Sequence, residues 1–187
     1  MNNKTTTSSA GISVTAADRN ILILVTALFV LNGCTHHHIP EADTYDFDAI
    51  PEFTSSNSVS LVNVQASGEV LFATNMGHKW YGDLQQWTDV AIEITERELS
   101  LRGMNITDNA PRALEMAITS ASTTTGGWGF SSHVTLQVIT GDGYKRIIIG
   151  DGPSPMLNRA ADAGIMRAVA AMLKDEKILQ YLTEQEN

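Results

Sequence analysis

Strict alternation of apolar and polar residues marks the clearest element of this chain. Residues 134–138 (Val-Thr-Leu-Gln-Val) have a period of two, which predicts a strand with one buried face. Asp142-Gly143 follows and is typical of a tight hairpin turn, because both residue types tolerate positive φ. Residues 144–149 are rich in isoleucine and are therefore predicted to return as the partner strand.

A second period, of three to four residues, predicts two helices. The first covers residues 79–102 and ends at Gly103, a residue type favoured just past a helix C-terminus. The second begins at Pro155 with Ser154 as its cap. Its apolar stripe consists mainly of small residues, which allow a helix to lie close to a sheet. The stripe comprises Leu157, Ala160, Ala161, Gly164, Ala168 and Ala171.

Glu98 interrupts the apolar stripe of the first helix. Arg102 lies four residues later on the same face, so an ion pair is predicted on the surface of a fraying last turn. A functional buried carboxylate is the alternative.

Shorter alternating runs predict the rest of the sheet. Residues 59–64 and 114–121 each have a period of two, and residues 104–106 begin a further strand. Residues 68–73 are either a short strand or a loop. This order predicts an α+β fold: one small, mostly antiparallel sheet of about four strands, with two helices packed on one face.

An apolar run at residues 21–30 precedes these elements. It is shorter than the roughly 20 residues that span a bilayer and matches the core of a signal peptide, about 7–15 residues. Lys4 and Arg19 supply positive charge ahead of it. The run is followed by Leu31-Asn32-Gly33-Cys34, which resembles the lipobox of bacterial lipoproteins, and Cys34 is the only cysteine. A buried helix with an incidental cysteine is the alternative.

The lipobox resemblance implies a place in the cell. The signal peptide would be removed between Gly33 and Cys34, and Cys34 would then carry diacylglycerol and a further acyl chain such as palmitate. Thr35 stands where lipoproteins of the inner membrane usually have Asp, so the resemblance favours an outer-membrane, periplasm-facing protein. Two or more acyl chains hold a protein stably on a membrane.

Three parts of the chain are therefore predicted. They are a signal peptide (residues 1–33), a flexible tether (34–57) and a single periplasmic α+β domain (58–187). The tether is predicted from its polar composition and its lack of apolar periodicity. It contains His36-His37-His38, which we expect to be plain linker residues, because metal ligands are normally spaced so that they converge.

Charge limits the classes of partner. The whole chain has 12 basic and 21 acidic residues; without Lys4, Arg19 and Asp18 the balance is 10 to 20, a net charge of −10 with histidine neutral. This excess of negative charge argues against nucleic-acid binding and against electrostatic adhesion to anionic lipid. With Cys34 acylated, no thiol is left to form a disulfide.

No motif in the sequence indicates catalysis, a metal centre or a cofactor. The histidines stand outside metal-ligand spacings, and no Gly-x-Ser-x-Gly elbow is present. The Gly-Asp-Gly sequences at 141–143 and 150–152 are both predicted to be hairpin turns. We therefore expect a protein that is not an enzyme. One hydrolase hypothesis is kept, in which His133 converges with Asp142 or Asp151.

Trp128 and Phe130 are the candidate contact residues. They stand among glycines in a polar loop, where an exposed ring would suit a partner's pocket or a membrane interface. The alternative is that both rings fold back on the core. An open sheet edge is a second candidate surface, because its unpaired backbone groups can be extended by another chain. These features favour an envelope protein as partner and leave homo-oligomerisation open.

The sequence also resembles the YajG-like family of bacterial outer-membrane lipoproteins. The shared elements are the lipobox, a long helix ending in Arg102-Gly103, the hairpin over 134–149 and a terminal helix over 175–182. The family has no catalytic residues, so the resemblance implies a non-catalytic, lipid-anchored envelope protein with an assembly or structural role. A periplasmic module that binds a small ligand or glycan, with a tryptophan ring stacked on it, is the alternative.

Overall fold

The computed structural model describes residues 33–42 and 50–184. Contacts divide the chain into two units, residues 1–34 and 35–187. Nearly all of the predicted signal peptide lies outside the described residues, so the peptide and its removal stay predictions. Cys34 is described, and its thiol is free and exposed. Within the described part, no helix is both long enough and apolar enough to cross a membrane.

Eight strands lie in the described residues and form two sheets. In chain order they are β1 (Thr35–His37), β2 (Ser58–Asn63), β3 (Glu69–Asn75), β4 (His78–Asp83), β5 (Asn105–Ile106), β6 (Arg112–Gly126), β7 (Gly129–Thr140) and β8 (Lys145–Ser154). The larger sheet has the order β5-β2-β6-β7-β8. Strand β2 runs parallel to both its neighbours, whereas β7 runs antiparallel to both of its own. The smaller sheet has the order β1-β4-β3, with β1 parallel and β3 antiparallel to β4.

Three helices accompany these sheets in the same residues. They are α1 (Leu84–Leu101), α2 (Leu157–Met172) and α3 (Glu176–Thr183). The predicted fold class is therefore wrong: two mixed sheets of three and five strands replace the single, mostly antiparallel sheet of about four, and there are three helices rather than two. The error comes mainly from parallel pairing. Its partners are far apart in the chain, so no short-range turn signal announces them.

Helix α1 is shorter than the predicted helix because its first residues, 79–83, belong to β4. Asp83 caps the helix, and its Oδ1 accepts a hydrogen bond from the Gln85 N–H at 2.8 Å. The Ser67 hydroxyl donates to Oδ2 at 2.6 Å, and this bond is the main reason that the pKa of Asp83 lies below its usual value. The predicted apolar stripe is confirmed from Leu84 to Ile94 and is wrong at its last member, Leu101, which is 75% exposed. Its buried members include Leu84, Trp87, Ala91 and Ile94.

Glu98 and Arg102 pair as predicted, with 2.8 Å between Oε2 and Nη1. The surrounding structure differs from the prediction. Glu98 is only 6% exposed, and the Arg102 guanidinium lies 5.3 Å from the centre of the Phe53 ring. The prediction of a fraying surface turn is therefore wrong, because the last turn of α1 packs under the chain that leads into β2.

Helix α2 lies against two glycines of β8, which confirms the close approach predicted from its small residues. A Cβ atom on Gly150 would stand 2.0 Å from the Gly164 carbonyl oxygen, and one on Gly152 would stand 2.2 Å from the Ala160 carbonyl oxygen. This Gly-Asp-Gly is thus part of a strand, and its prediction as a hairpin turn is wrong. The turn lies at 141–143, between β7 and β8, as predicted.

The helix ends differ slightly from the sequence prediction. Helix α2 begins at Leu157, two residues after Pro155, and the Ser154 hydroxyl accepts a hydrogen bond from the Met156 N–H at 3.2 Å. The apolar residues after it form the short helix α3, capped by Asp175. Both α1 and α2 contribute to one core that also contains buried residues of β6, β7 and β8.

Candidate functional site

Strands β6 and β7 form a long hairpin whose tip carries Trp128. The two strands pair as far as Gly126 opposite Gly129, so Gly127 and Trp128 make the turn. Trp128 is 99% exposed. Phe130, two residues later, packs against the edge of the core. The two alternatives for these rings therefore apply to one ring each: Phe130 folds back, and Trp128 projects outward.

Two open hollows lie beside this tip and share Phe130 in their walls. The first, about 430 Å³, runs between Trp128 and the Pro153–Pro155 segment. The second, about 460 Å³, is lined by aromatic, amide, thioether and leucine side chains from four separate parts of the chain. They are His36, Asn75, Met76, His78, Trp80, Phe130, Met156, Leu157 and Asn158.

The three adjacent histidines lie beside this region: His36 and His37 belong to β1, and His38 follows the strand directly. His36 stacks on Trp80, with 4.4 Å between ring centres, and its Nε2 lies 2.8 Å from His78 Nδ1. His37 projects to the other side, where its Nδ1 lies 2.9 Å from the Glu69 carboxylate. The segment 35–38 therefore packs on the domain. For these residues the prediction of a flexible tether is wrong. It was based on the lack of apolar periodicity, but this segment is held by ring stacking and polar contacts instead.

His38 makes the buried contact of this segment. Its Nε2 lies 2.9 Å from Asp162 Oδ1, and the two side chains are 8% and 4% exposed. The His38 ring packs near Phe72 and Trp87, and its carbonyl oxygen accepts a 3.4 Å hydrogen bond from the Trp87 indole. Asp162 is the sequence signal that could have predicted this contact. A carboxylate among the small, buried residues of α2 requires a polar partner.

His133 and Asp151 do converge, as the hydrolase hypothesis required. They are cross-strand neighbours on β7 and β8, and His133 Nδ1 lies 2.5 Å from Asp151 Oδ1. Ser122 of β6 is opposite His133 in the same row, but no hydrogen bond joins its hydroxyl to the ring. All three residues are exposed on the surface of the sheet.

Asp142, the other carboxylate of that hypothesis, has a different role. It lies in the β7–β8 turn, where bonds from the Thr140 hydroxyl and the Tyr144 N–H lower its pKa. It thus stabilises the turn and is not the partner of His133. Among residues 33–42 and 50–184, no three His, Cys, Asp or Glu side chains gather as they would around a metal ion.

Ile147 and Ile149 form a further exposed feature, on the face of β8 that points away from α2. They are 59% and 62% exposed, whereas Ile148, which faces the helix, is 7% exposed. Strand β8 is an edge strand of the five-stranded sheet. The predicted open sheet edge is therefore accompanied by exposed apolar side chains.

Comparison with known proteins adds little to this geometry. No protein-family model matches the chain, and no curated protein sequence matches it. Two similar solved structures are protein XCC0632 from Xanthomonas campestris, of the family DUF330, and a PelC variant dodecamer from Paraburkholderia phytofirmans.

The first structure is 13% identical, covers 78% of this chain and 94% of its own, and has a TM-score of 0.45. The second is 15% identical, covers 72% of this chain and 93% of its own, and has a TM-score of 0.32. The chain thus has a structural neighbour in the bacterial family DUF330, which does not confirm the YajG-like resemblance. With both TM-scores below 0.5, we draw no functional conclusion from either likeness.

Proposed function

We propose that this chain is a lipid-anchored, non-catalytic cell-envelope protein whose periplasmic domain binds another envelope component. Its place would be the outer membrane, held by acyl chains on Cys34. The observation that carries the proposal is the order of positive charge, apolar core, Gly33 and a single cysteine. Two features support it: the thiol of Cys34 is exposed, and a strand of the described domain begins at the next residue, Thr35.

The surface proposed for the protein partner is the outer face of β8, with Ile147 and Ile149. Exposed apolar side chains on an edge strand offer both backbone hydrogen bonds and apolar contact to an added strand. The partner would be a second envelope protein, and a second copy of this chain is the alternative occupant. We further propose that the relatives of this chain are YajG-like lipoproteins, on the shared lipobox and the hairpin over 134–149.

Replacing the acylated residue tests the anchor. We expect Cys34→Ser to move the protein from the membrane fraction to the soluble fraction, because a hydroxyl cannot form the thioether that holds the acyl chains. Cell fractionation followed by immunoblotting measures this. The matched control is Ser100→Ala, an equally small change at an exposed position near the end of α1. A serine variant that stays in the membrane fraction as fully as wild type would contradict the proposed anchor.

Site-specific crosslinking tests the partner surface. A photoreactive residue at position 149 should capture one defined envelope protein in living cells, because Ile149 lies at the centre of the proposed contact. The control position is 101, where Leu101 is 75% exposed but lies at the end of α1. The same products from both positions, or none from position 149, would count against this surface.

A small-ligand or glycan-binding module is the second candidate function. The hollow beside Trp80 favours it, because it combines an aromatic ring with the amides of Asn75 and Asn158. Crystals soaked with soluble envelope sugars would distinguish this function, which requires density against the Trp80 ring.

A further inference from the structure

The end of the domain around the two hollows exposes large apolar side chains from three separate segments. Met76 is 94% exposed, Trp128 is 99% exposed and Met156 is 57% exposed. Met76 and Met156 line one hollow, Trp128 lines the other, and Phe130 lies in the wall of both. We call this surface the tip surface. Large exposed apolar groups that gather in one place indicate an interaction site rather than ordinary surface.

The tip surface is also free of charge in an otherwise acidic protein. No Asp, Glu, Lys, Arg or His occurs in residues 119–132 or 152–158, nor in residues 73–77 around Met76. The chain from Cys34 onward nevertheless carries 20 acidic and 10 basic residues. These are the totals of 21 and 12 without Asp18, Lys4 and Arg19, which precede Cys34. The absence of charge from these segments removes the cost of desolvating ions when the surface is covered.

The proposed anchor joins the chain next to this surface. His36 lines the same hollow as Met76 and Met156, and it stands two residues after Cys34. Two residues span at most about 7 Å, so the acylated residue cannot be far from the hollow. The buried contact of His38 with Asp162 fixes β1 to the domain. Only a few residues therefore separate Cys34 from a fixed point of the domain.

We propose that the tip surface rests on the lipid bilayer, with Trp128 in the interfacial region and the two methionines beside it. Tryptophan is favoured at that depth because its ring is apolar and its indole N–H is polar. The net negative charge of the domain selects a zwitterionic lipid surface rather than an anionic one. This inference rests on the proposed lipid anchor at Cys34 and adds to it a fixed orientation of the domain.

Quenching of tryptophan fluorescence by brominated lipid tests the inference. The acylated full chain, purified from membranes, is reconstituted into phosphatidylcholine vesicles with or without bromine on the acyl chains near the headgroup. We expect bromine to quench the wild-type protein and Trp128→Phe to remove most of that quenching, leaving only the part that comes from Trp80 in the wall of the second hollow. Trp87 is fully buried and, with Trp80, provides the remaining signal in both proteins.

The matched control moves the reporter along the sheet. The double variant Trp128→Phe/Ile149→Trp places an exposed indole on β8 opposite Thr135, five residues from Phe130 and roughly 17 Å along the strand. We expect this ring to remain unquenched. Wild-type protein that is acylated by mass spectrometry but unquenched would overturn the inference and leave the anchor standing. Protein without acyl chains would overturn both, and equal quenching at positions 128 and 149 would overturn the fixed orientation.

Discussion

Replacing Gly150 with alanine should lower the free energy of unfolding by about 3 kcal/mol or more, at the upper end of overpacking costs. The new methyl group would meet the Gly164 carbonyl oxygen at 2.0 Å and the Ala168 backbone nitrogen at 2.5 Å. Both are backbone atoms of α2, so no side-chain rotation can relieve the clash. The whole helix must move away from β8, and most of the core contacts of that helix would weaken together.

Chemical denaturation of Gly150→Ala beside Gly68→Ala measures this effect. No heavy atom lies within 4 Å of a Cβ placed on Gly68, so the control shares the reduced entropy of the unfolded chain without the clash. A domain typically has about 5–15 kcal/mol of stability in total, so this loss is a large fraction of it and should clearly lower the denaturation midpoint of the Gly150 variant. Equal denaturation midpoints for the two variants would show that α2 does not pack on β8 in this way.

Removing the buried carboxylate at position 162 should have the second-largest effect. Asp162→Ala leaves the His38 ring without its hydrogen-bond partner in a site that excludes water, which costs about 1–3 kcal/mol. Alanine is the better helix former, so a few tenths of this loss are offset within α2. Asp162→Asn keeps an oxygen that can accept the bond, and we expect a smaller loss.

Hydrogen exchange gives this prediction a local measurement. The His38 N–H donates to the Tyr81 carbonyl oxygen at 2.8 Å, which attaches the end of β1 to β4. In Asp162→Ala this amide should exchange faster than in wild type, while the amides of β7 change little beyond the global loss. Uniform acceleration throughout the domain, with no excess at His38, would show that Asp162 does not hold β1 in place.

The elements that the sequence predicted well are those with local causes. The hairpin of β7 and β8 follows from alternation and from Asp142-Gly143, both of which act within a few residues. The ion pair of Glu98 and Arg102 likewise depends on one helical turn. The small residues of α2 predicted its close packing, although the glycines that receive it, such as Gly150, were assigned to a turn.

The missed elements depend on partners distant in the chain. Strand β1 consists of Thr and His residues, which have no apolar period, and it is held by β4 and by a carboxylate 124 residues away. For the smaller sheet the sequence offered only the strand alternative at residues 68–73, and most of β4 was assigned to the first helix. In the candidate site, too, one feature has a local cause and another depends on distant parts of the chain. The exposure of Trp128 follows from its position in a tight turn, but its proximity to β1 required the tertiary fold.

Both the proposed anchor and the proposed orientation require Cys34 to be the first residue of an acylated, membrane-held chain. Intact-mass spectrometry of the native protein extracted from membranes tests this most directly. We expect a mass equal to residues 34–187 plus diacylglycerol and a further acyl chain. A polypeptide that retains Met1 and has an unmodified thiol at Cys34 would contradict it.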